Sequence, residues 1–123
     1  MKNILVVDDN EDCLSLVKIL LESEGMTAEC AESGEDALRE LSAKAFHLMV
    51  TDLNLPGIDG FAIVQQAMEI APGMPIIMMT GETSPDITRL AVELGIVKVI
   101  FKPFTSHEMV TTIRDVLKTW TKL

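Results

Sequence analysis

Five short apolar segments alternate with stretches of helical periodicity, and this alternation limits the possible folds of the chain more than any other feature. Each segment is too short for a helix, and the segments recur roughly every 25 residues. They cover residues 3–7, 26–31, 47–51, 76–79 and 97–101. Such alternation predicts a parallel sheet with helices on both faces. We therefore predict an α/β fold with a doubly wound, five-stranded parallel sheet.

Residues that start helices lie between the apolar segments. Ser33 has the position of an N-cap, and Ser84 precedes a proline at a first helical position, Pro85. Thr105 and Glu108 have the spacing of a capping box. These signals support the helices that the periodicity predicts after the strands.

The length and charge of the chain limit the classes of protein to which it can belong. Its 123 residues are expected to form a single domain, residues 1–123, because domains most often contain about 100–150 residues. Nineteen acidic and ten basic residues give a net charge of −9, which disfavours nucleic acid and anionic membranes as partners. No apolar run approaches the roughly 18 residues of a membrane span, and no signal peptide is evident, so we expect a cytoplasmic protein.

Cys13 and Cys30 fit no disulfide pattern and are expected to be reduced core residues.

Polar side chains follow four of the five strands. Asp8 and Asp9 follow the first, Asp52 ends the third, Thr80 ends the fourth, and Lys102 follows the fifth. A doubly wound order brings the carboxyl ends of the first and third strands together at the topological switch point, where such sheets bind ligands. We therefore expect these five side chains to form one site.

The chemistry of these side chains points to a cation and a phosphoryl group. Carboxylates at one edge of a sheet repel each other and require a cation, and Mg²⁺ prefers oxygen ligands. Mn²⁺ could replace it, whereas Ca²⁺ is disfavoured because the chain has no loop with the ligand spacing of calcium sites. Lys102 and the Thr80 hydroxyl could hold the outer oxygens of a phosphoryl group. Asp52 would then be the nucleophile, since carboxylates form aspartyl phosphates.

Each of these residues also has a purely structural interpretation. Asp8 and Asp9 could cap the first helix, the Thr80 hydroxyl could bond to the backbone, and Lys102 could be a solvated lysine. The coincidence of four strand ends with matching chemistry favours a shared phosphoryl site over these separate interpretations.

Four motifs resemble those of response-regulator receiver domains of two-component signalling. They are ILVVDD at 4–9, DLNLPGIDG at 52–60, Thr80 at a strand end, and FKPF at 101–104. The resemblance covers the whole chain. Within this family, the chain is similar to the single-domain chemotaxis-regulator type. It implies a flavodoxin-like (βα)5 fold with strand order 2-1-3-4-5, and a signalling switch that is not an enzyme.

The resemblance also implies a phosphodonor, a metal and an output surface. Asp52 would accept a phosphoryl group from a histidine kinase or a phosphohistidine carrier. Mg²⁺ would be bound by Asp8, Asp9, Asp52 and the backbone carbonyl of Asn54. A stand-alone receiver would then act on an unknown downstream protein in trans, through the last two helices and the strand between them.

Further roles near the phosphoryl group follow from the same resemblance. Thr80 and Lys102 would contact that group, and Gly81 would leave room beside it. Glu82 would influence the lifetime of the phosphoryl group, although a solvated acid is an equal alternative. The bond between Lys102 and Pro103 would be cis, whereas trans is the default expectation from sequence alone.

The chain departs from the family pattern at Val99. Receiver domains commonly have an aromatic residue three positions before their lysine, and this residue swings inward as the threonine moves. Val99 has this position, the chain contains no tyrosine, and Phe101 lies only one residue before Lys102. The departure puts aromatic gating of the output surface in doubt, but not phosphorylation.

Three other functions stay open at the level of sequence. A constitutive interaction module with the receiver fold is favoured by Val99 and disfavoured by the intact set of strand-end residues. A Mg²⁺-dependent phosphatase of small molecules would need a cap domain that we do not expect here. A flavin mononucleotide carrier would place its phosphate against the acidic segment 8–12, which repels anions.

Overall fold

The computed structural model describes residues 1–57 and 59–120, which contain five strands and five helices in alternation. The strands are β1 (Asn3–Val7), β2 (Thr27–Ala31), β3 (Leu48–Asp52), β4 (Ile76–Thr80) and β5 (Lys98–Phe101). The helices are α1 (Glu11–Ser23), α2 (Gly34–Ala43), α3 (Gly60–Ile70), α4 (Pro85–Leu94) and α5 (Ser106–Trp120). The prediction of short strands, each followed by a helix, is confirmed.

The strands form one parallel sheet in the order β2-β1-β3-β4-β5. This is the doubly wound, flavodoxin-like order that we predicted. β1 pairs with both β2 and β3, so the strand order reverses beside the carboxyl ends of β1 and β3. The register places Val7 opposite Thr51 and Asp52 opposite Met79. The residues that follow β1 therefore emerge at the same edge of the sheet as Asp52.

Two apolar layers cover the faces of the sheet. Helices α2, α3 and α4 cover the face that buries Met49 and Met78, and helices α1 and α5 cover the face that buries Val50 and Met79. Consecutive residues of one strand enter opposite layers because side chains alternate across a sheet. Every residue of β3 and β4 is buried, as expected for central strands of a doubly covered sheet. None of the described helices is long and apolar enough to cross a bilayer.

The edge strand β2 departs most from the expectation. Cys30 on this strand is exposed and Cys13 on α1 is half-buried, so the prediction that both are core residues is wrong. Only Ala28 and Ala31 of β2 are buried, because the helices cover this edge incompletely. Both cysteines are free, as predicted.

Gly60 is the first residue of α3, where the chain returns to the end of β3. A Cβ atom here would lie 2.1 Å from the backbone oxygen of Leu53 and 2.7 Å from its carbonyl carbon. Since backbone atoms cannot move aside like a flexible side chain, we expect Gly60→Ala to lower the free energy of unfolding by about 2 kcal/mol in urea denaturation. Gly81→Ala is the control, because no atom lies within 4 Å of its added Cβ. Equal stability of the two variants would contradict the prediction.

Candidate functional site

Asp52, the last residue of β3, lies at the centre of the candidate site. Asp52 is buried, and only 6% of its surface is exposed. The Asn54 N–H donates to Oδ1 of Asp52 at 3.0 Å, and the Leu53 N–H donates to the Met79 carbonyl at 2.9 Å. These two bonds set the turn by which the chain leaves the sheet, and they orient the carboxylate at the strand end.

Asp8 and Asp9 follow β1 at the neighbouring strand end. Asp8 is fully buried, and its Oδ1 accepts from the Asn10 N–H at 3.0 Å, whereas Asp9 is exposed. Carboxylate oxygens of Asp8, Asp9 and Asp52 lie within 4.8 Å of one another, and these three residues form the acid cluster. The alternative that Asp8 and Asp9 cap α1 is wrong, because the N-cap is Asn10, whose side chain accepts from the Cys13 N–H.

Lys102 follows β5 and bridges two members of the acid cluster. Its Nζ donates to Oδ2 of Asp8 at 2.8 Å and to Oδ2 of Asp52 at 2.7 Å. Its backbone N–H donates to the Thr80 carbonyl at 2.8 Å, and its peptide bond to Pro103 is cis, as the family resemblance implied. The side chain is 27% exposed, so the alternative of a solvated surface lysine is wrong.

Burial and hydrogen bonding act in opposite directions on these charges. Burial raises the pKa of Asp52, and the hydrogen bonds from Lys102 and the Asn54 N–H offset this only in part. Burial also acts to raise the pKa of Asp8, but bonds from Lys102 and the Asn10 N–H outweigh it, so this pKa lies below its usual value. Burial acts to lower the pKa of Lys102, but its bonds to Asp52 and Asp8 raise it overall. The ammonium group therefore stays charged between two carboxylates.

Thr80 ends β4 beside the acid cluster and is fully buried. Its hydroxyl accepts from the Glu82 N–H at 3.0 Å, so the structural interpretation of a backbone-bonded hydroxyl is correct. Gly81 and Glu82 are exposed, and no atom lies within 4 Å of the position that a Cβ of Gly81 would take. The loop after β4 therefore leaves open space on this side of the site.

The acid cluster has the donor set of a hard divalent cation. Carboxylate oxygens are the ligands that Mg²⁺ and Mn²⁺ prefer. The single positive charge of Lys102 leaves the three carboxylates with a net negative charge, which a divalent cation would offset. The backbone of Asn54 adjoins the cluster through its bond to Asp52. The residues present therefore fit Mg²⁺.

Two residues contribute to the site without having been singled out from the sequence. The Asn10 N–H supports the Asp8 carboxylate, and Cys13 lies in the first turn of α1 on the same side. Burial and the neighbouring Asp8 carboxylate raise the pKa of the Cys13 thiol to about 12, so the thiol is protonated at neutral pH. A polar residue directly after a strand-end acid could have indicated Asn10, whereas nothing in the sequence indicates the contact of Cys13.

The fold and the acid cluster define a flavodoxin-like protein with an acidic pocket at its topological switch point. Residues 4–114 match the family model described as "Response regulator receiver domain". The chain belongs to this family.

Three similar proteins illustrate the match. The transcriptional regulatory protein GlrR of Escherichia coli (strain K12) is 31% identical over 94% of this chain and 26% of its own length. The alkaline phosphatase synthesis transcriptional regulatory protein PhoP of Bacillus subtilis (strain 168) is 32% identical over 95% of this chain and 49% of its own. The crystal structure of a CheY-like receiver domain protein from Methanospirillum hungatei JF-1 superposes with a TM-score of 0.94 at 30% identity, over 99% of this chain and 98% of the other. The chain thus spans at most about half the length of these two curated relatives.

Membership of the family carries general properties. Receiver domains belong to two-component signal transduction, interact with histidine kinases or phosphotransfer proteins, and are generally switches rather than enzymes. They bind Mg²⁺ at an acidic pocket, and in this chain three aspartates cluster at the carboxyl ends of β1 and β3.

Val99 lies three residues before Lys102, on β5. It pairs with Met78 and packs, half-buried, against the apolar layer beneath α2, α3 and α4. Phe101, at the end of the same strand, is 39% exposed. A short side chain that packs against the core therefore has the position that is commonly aromatic in receiver domains.

Proposed function

We propose that residues 1–123 are a receiver domain that works as a phosphoacceptor switch, with Asp52 as the phosphorylated residue. The observation that carries the proposal is the bridge of Lys102 Nζ between Asp8 and Asp52, beside the exposed carboxylate of Asp9. This arrangement presents a carboxylate nucleophile next to a fixed positive charge and a set of metal ligands. A domain with only a structural use for this edge would gain nothing from gathering three carboxylates there.

The proposed reaction is transfer of a phosphoryl group from a phosphohistidine of a histidine kinase or a phosphotransfer protein. An oxygen of the Asp52 carboxylate attacks phosphorus, a P–O bond forms, and the P–N bond to the donor imidazole breaks. The bond electrons stay on the imidazole nitrogen, which then takes up a proton. Asp52 is suited to this role because the Asn54 N–H holds its Oδ1 in place at 3.0 Å.

The acid cluster and the Asn54 backbone carbonyl would hold Mg²⁺, or Mn²⁺ in its place. When bound, the metal supplies positive charge that offsets the charge of the transferred phosphoryl group. Lys102 keeps its own charge for the same purpose, because its ammonium group stays protonated in the site.

The remaining site residues surround the place of the phosphoryl group. The Thr80 hydroxyl and Lys102 would contact phosphoryl oxygens, and Gly81 would leave room for them. Glu82 would modulate the lifetime of the phosphoryl group from its exposed loop, and Val99 would take the switch position without an aromatic ring. The signal would be presented on α4, β5 and α5 to a downstream protein in trans.

We expect the chain to gain the mass of one phosphoryl group when it is incubated with a small phosphodonor and Mg²⁺, as read by intact-mass spectrometry. The gain should vanish with a chelator and in Asp52→Asn, because the nucleophile and the metal are both required. Hydroxylamine should remove the added mass, since acyl phosphates react with it.

Asp12→Asn is the matched control, since Asp12 is an exposed acid in the first turn of α1. It should be phosphorylated like the unmodified protein. A gain that persists in Asp52→Asn would refute the assignment of the phosphoacceptor. No gain under any condition would favour the alternative of a constitutive interaction module with the receiver fold.

A further inference from the structure

The amino ends of the parallel strands form the edge of the sheet that lies opposite the acid cluster. Lys2 precedes β1, His47 precedes β3 and Pro75 precedes β4, and the helices α2 and α3 end beside them. A five-residue strand such as β3 rises about 13 Å from its first Cα atom to its last. This edge is therefore separated from Asp52 by the whole length of β3.

A groove of about 680 Å³ opens between the ends of α2 and α3 at this edge, and we call it the amino-edge groove. An apolar set and a basic set of side chains line it: Phe46, Ile70 and Met74, and Lys2, Lys44 and His47. Ile70 is 41% exposed although it is a large apolar residue. An apolar wall with a few polar groups is the usual lining of a binding site, and the volume lies within the usual range.

The charge of the amino-edge groove differs from that of the chain as a whole. The chain has nineteen acidic residues and a net charge of −9, yet the described lining of the groove contains no Asp or Glu. Lys44 is neutralised by acids outside the groove, because its Nζ contacts Glu29 and lies 3.8 Å from Oε2 of Glu40. The groove is therefore a place where an anionic group can approach without meeting a carboxylate.

Lys2 and His47 are the groups that such an anion would meet. Lys2 forms no ion pair with any described residue. The Asn3 N–H donates to Nδ1 of His47 at 3.0 Å, which leaves the ring proton on Nε2 as a free donor. Lys2 also lines a neighbouring hollow of about 350 Å³ together with Lys118, and the described lining of this hollow contains no acid either. The positive charge therefore continues along the edge beyond the groove.

We propose that the amino-edge groove is a docking site for an acidic, partly apolar segment of a partner protein. Apolar side chains of the segment pack against Ile70 and Met74, and its carboxylates pair with Lys2 and with the Nε2–H of His47. Elsewhere the negative net charge of the chain repels an acidic partner, so charge complementarity directs the segment to this edge.

The docking site is used whether or not Asp52 is phosphorylated, and it does not rest on the proposed function. The lining of the groove contains no member of the acid cluster, and neither Thr80 nor Lys102 contributes to it. A segment bound at the amino ends of the strands leaves the carboxyl ends open to a phosphodonor. The site therefore holds the chain beside a partner in both states.

Selection of random peptides displayed on phage, with the full chain as the target, tests the chemistry of the occupant. We expect the enriched peptides to combine acidic residues with large apolar ones. A synthetic, fluorescently labelled copy of an enriched peptide should bind less tightly as the salt concentration rises, because screening weakens its ion pairs. Enrichment of basic or uncharged peptides, or no enrichment at all, would overturn the proposal.

Two variants test the location of the binding site with the same labelled peptide. Lys2→Glu places a like charge against the peptide and Ile70→Ser removes an apolar contact, so each should weaken binding about tenfold. Lys18→Glu is the matched control, since it makes the same change of charge at an exposed position of α1. If Lys18→Glu weakened binding as much as Lys2→Glu, the effect would belong to net charge and the groove would be refuted. Lys2→Gln takes the place of Lys2→Glu if that variant fails to fold.

The independence from phosphorylation and the class of the partner have their own measurements. The labelled peptide should bind the phosphorylated chain and Asp52→Asn within about twofold of the unmodified chain, because the two sites share no residue. A larger difference would overturn the use of the site in both states. Binding of the chain to phosphatidylglycerol vesicles that is lost in Lys2→Glu would assign the groove to a membrane surface and not to a protein segment. Peptide binding without any phosphoryl gain in the unmodified chain would support the docking site and count against the proposed function alone.

Discussion

Lys102→Met is expected to lower the free energy of unfolding by about 3 kcal/mol in the presence of a chelator. Asp8 is fully buried and Asp52 is 6% exposed, and Lys102 is the cation that contacts both. Without it, two buried carboxylates face each other with no neutralising charge. Methionine keeps the apolar length of the side chain, so the loss reports on the charge and not on packing. The lysine is itself 27% exposed, which places the effect at the low end of the cost of breaking a buried pair.

The same substitution is expected to slow phosphorylation of Asp52 by about 100-fold, the usual cost of removing one group that stabilises developing charge. Urea denaturation in chelator measures the first effect, and the rate of mass gain with Mg²⁺ measures the second. Excess Mg²⁺ should restore part of the lost stability, since it supplies positive charge to the same carboxylates. Lys98→Met, at an exposed position of β5, the strand that precedes Lys102, is the control. A variant as stable as the unmodified chain in chelator would contradict the prediction.

The order of strands and helices was accessible from the sequence because each central strand is buried on both sides. The segments that became β3 and β4 are mostly apolar, and every residue of these two strands is buried. The edge strand gave the wrong expectation for Cys30, because the helices cover this edge incompletely and Cys30 faces solvent there. The strand order itself came from the family resemblance. Periodicity predicts where the strands and helices lie along the chain, but it does not indicate which strands pair with each other in the sheet.

The composition of the site was also accessible, because strand ends are visible in the sequence. Asp8, Asp9, Asp52 and Lys102 all lie at the edge that was predicted. The sequence did not indicate which of the two acids after β1, Asp8 or Asp9, is buried. Successive residues point to opposite sides, and the direction of Asp8 depends on the Asn10 N–H, which donates to its carboxylate. The sequence also could not show that Lys102 bridges two carboxylates, since that requires the distances between strands.

Asp8→Asn is expected to weaken Mg²⁺ binding by at least thirtyfold while lowering the stability in chelator by less than Lys102→Met does. Two unit charges about 4 Å apart interact by about 1 kcal/mol even in bulk water, and a divalent cation doubles this to about 2 kcal/mol. A loss of about 2 kcal/mol is roughly a thirtyfold change in affinity, and a partly buried site can only increase it. The asparagine still accepts from the Asn10 N–H, and Lys102 keeps its bond to Asp52, so the fold loses little.

The increase in melting temperature across a Mg²⁺ titration measures this change, because a ligand that binds only the folded state stabilises it in proportion to the logarithm of its concentration over the dissociation constant. The titration curve of Asp8→Asn should shift to higher Mg²⁺ concentration by the expected factor, and that of Asp12→Asn should not shift. An unchanged curve for Asp8→Asn would mean that the metal does not use the buried member of the acid cluster. In contrast, a large loss of stability in chelator would mean that the charge of Asp8, and not only its hydrogen bonds, holds the end of β1 in place. Lys102→Met and Asp8→Asn together separate the contribution of the lysine to the stability of the fold from the contribution of the carboxylates to cation binding.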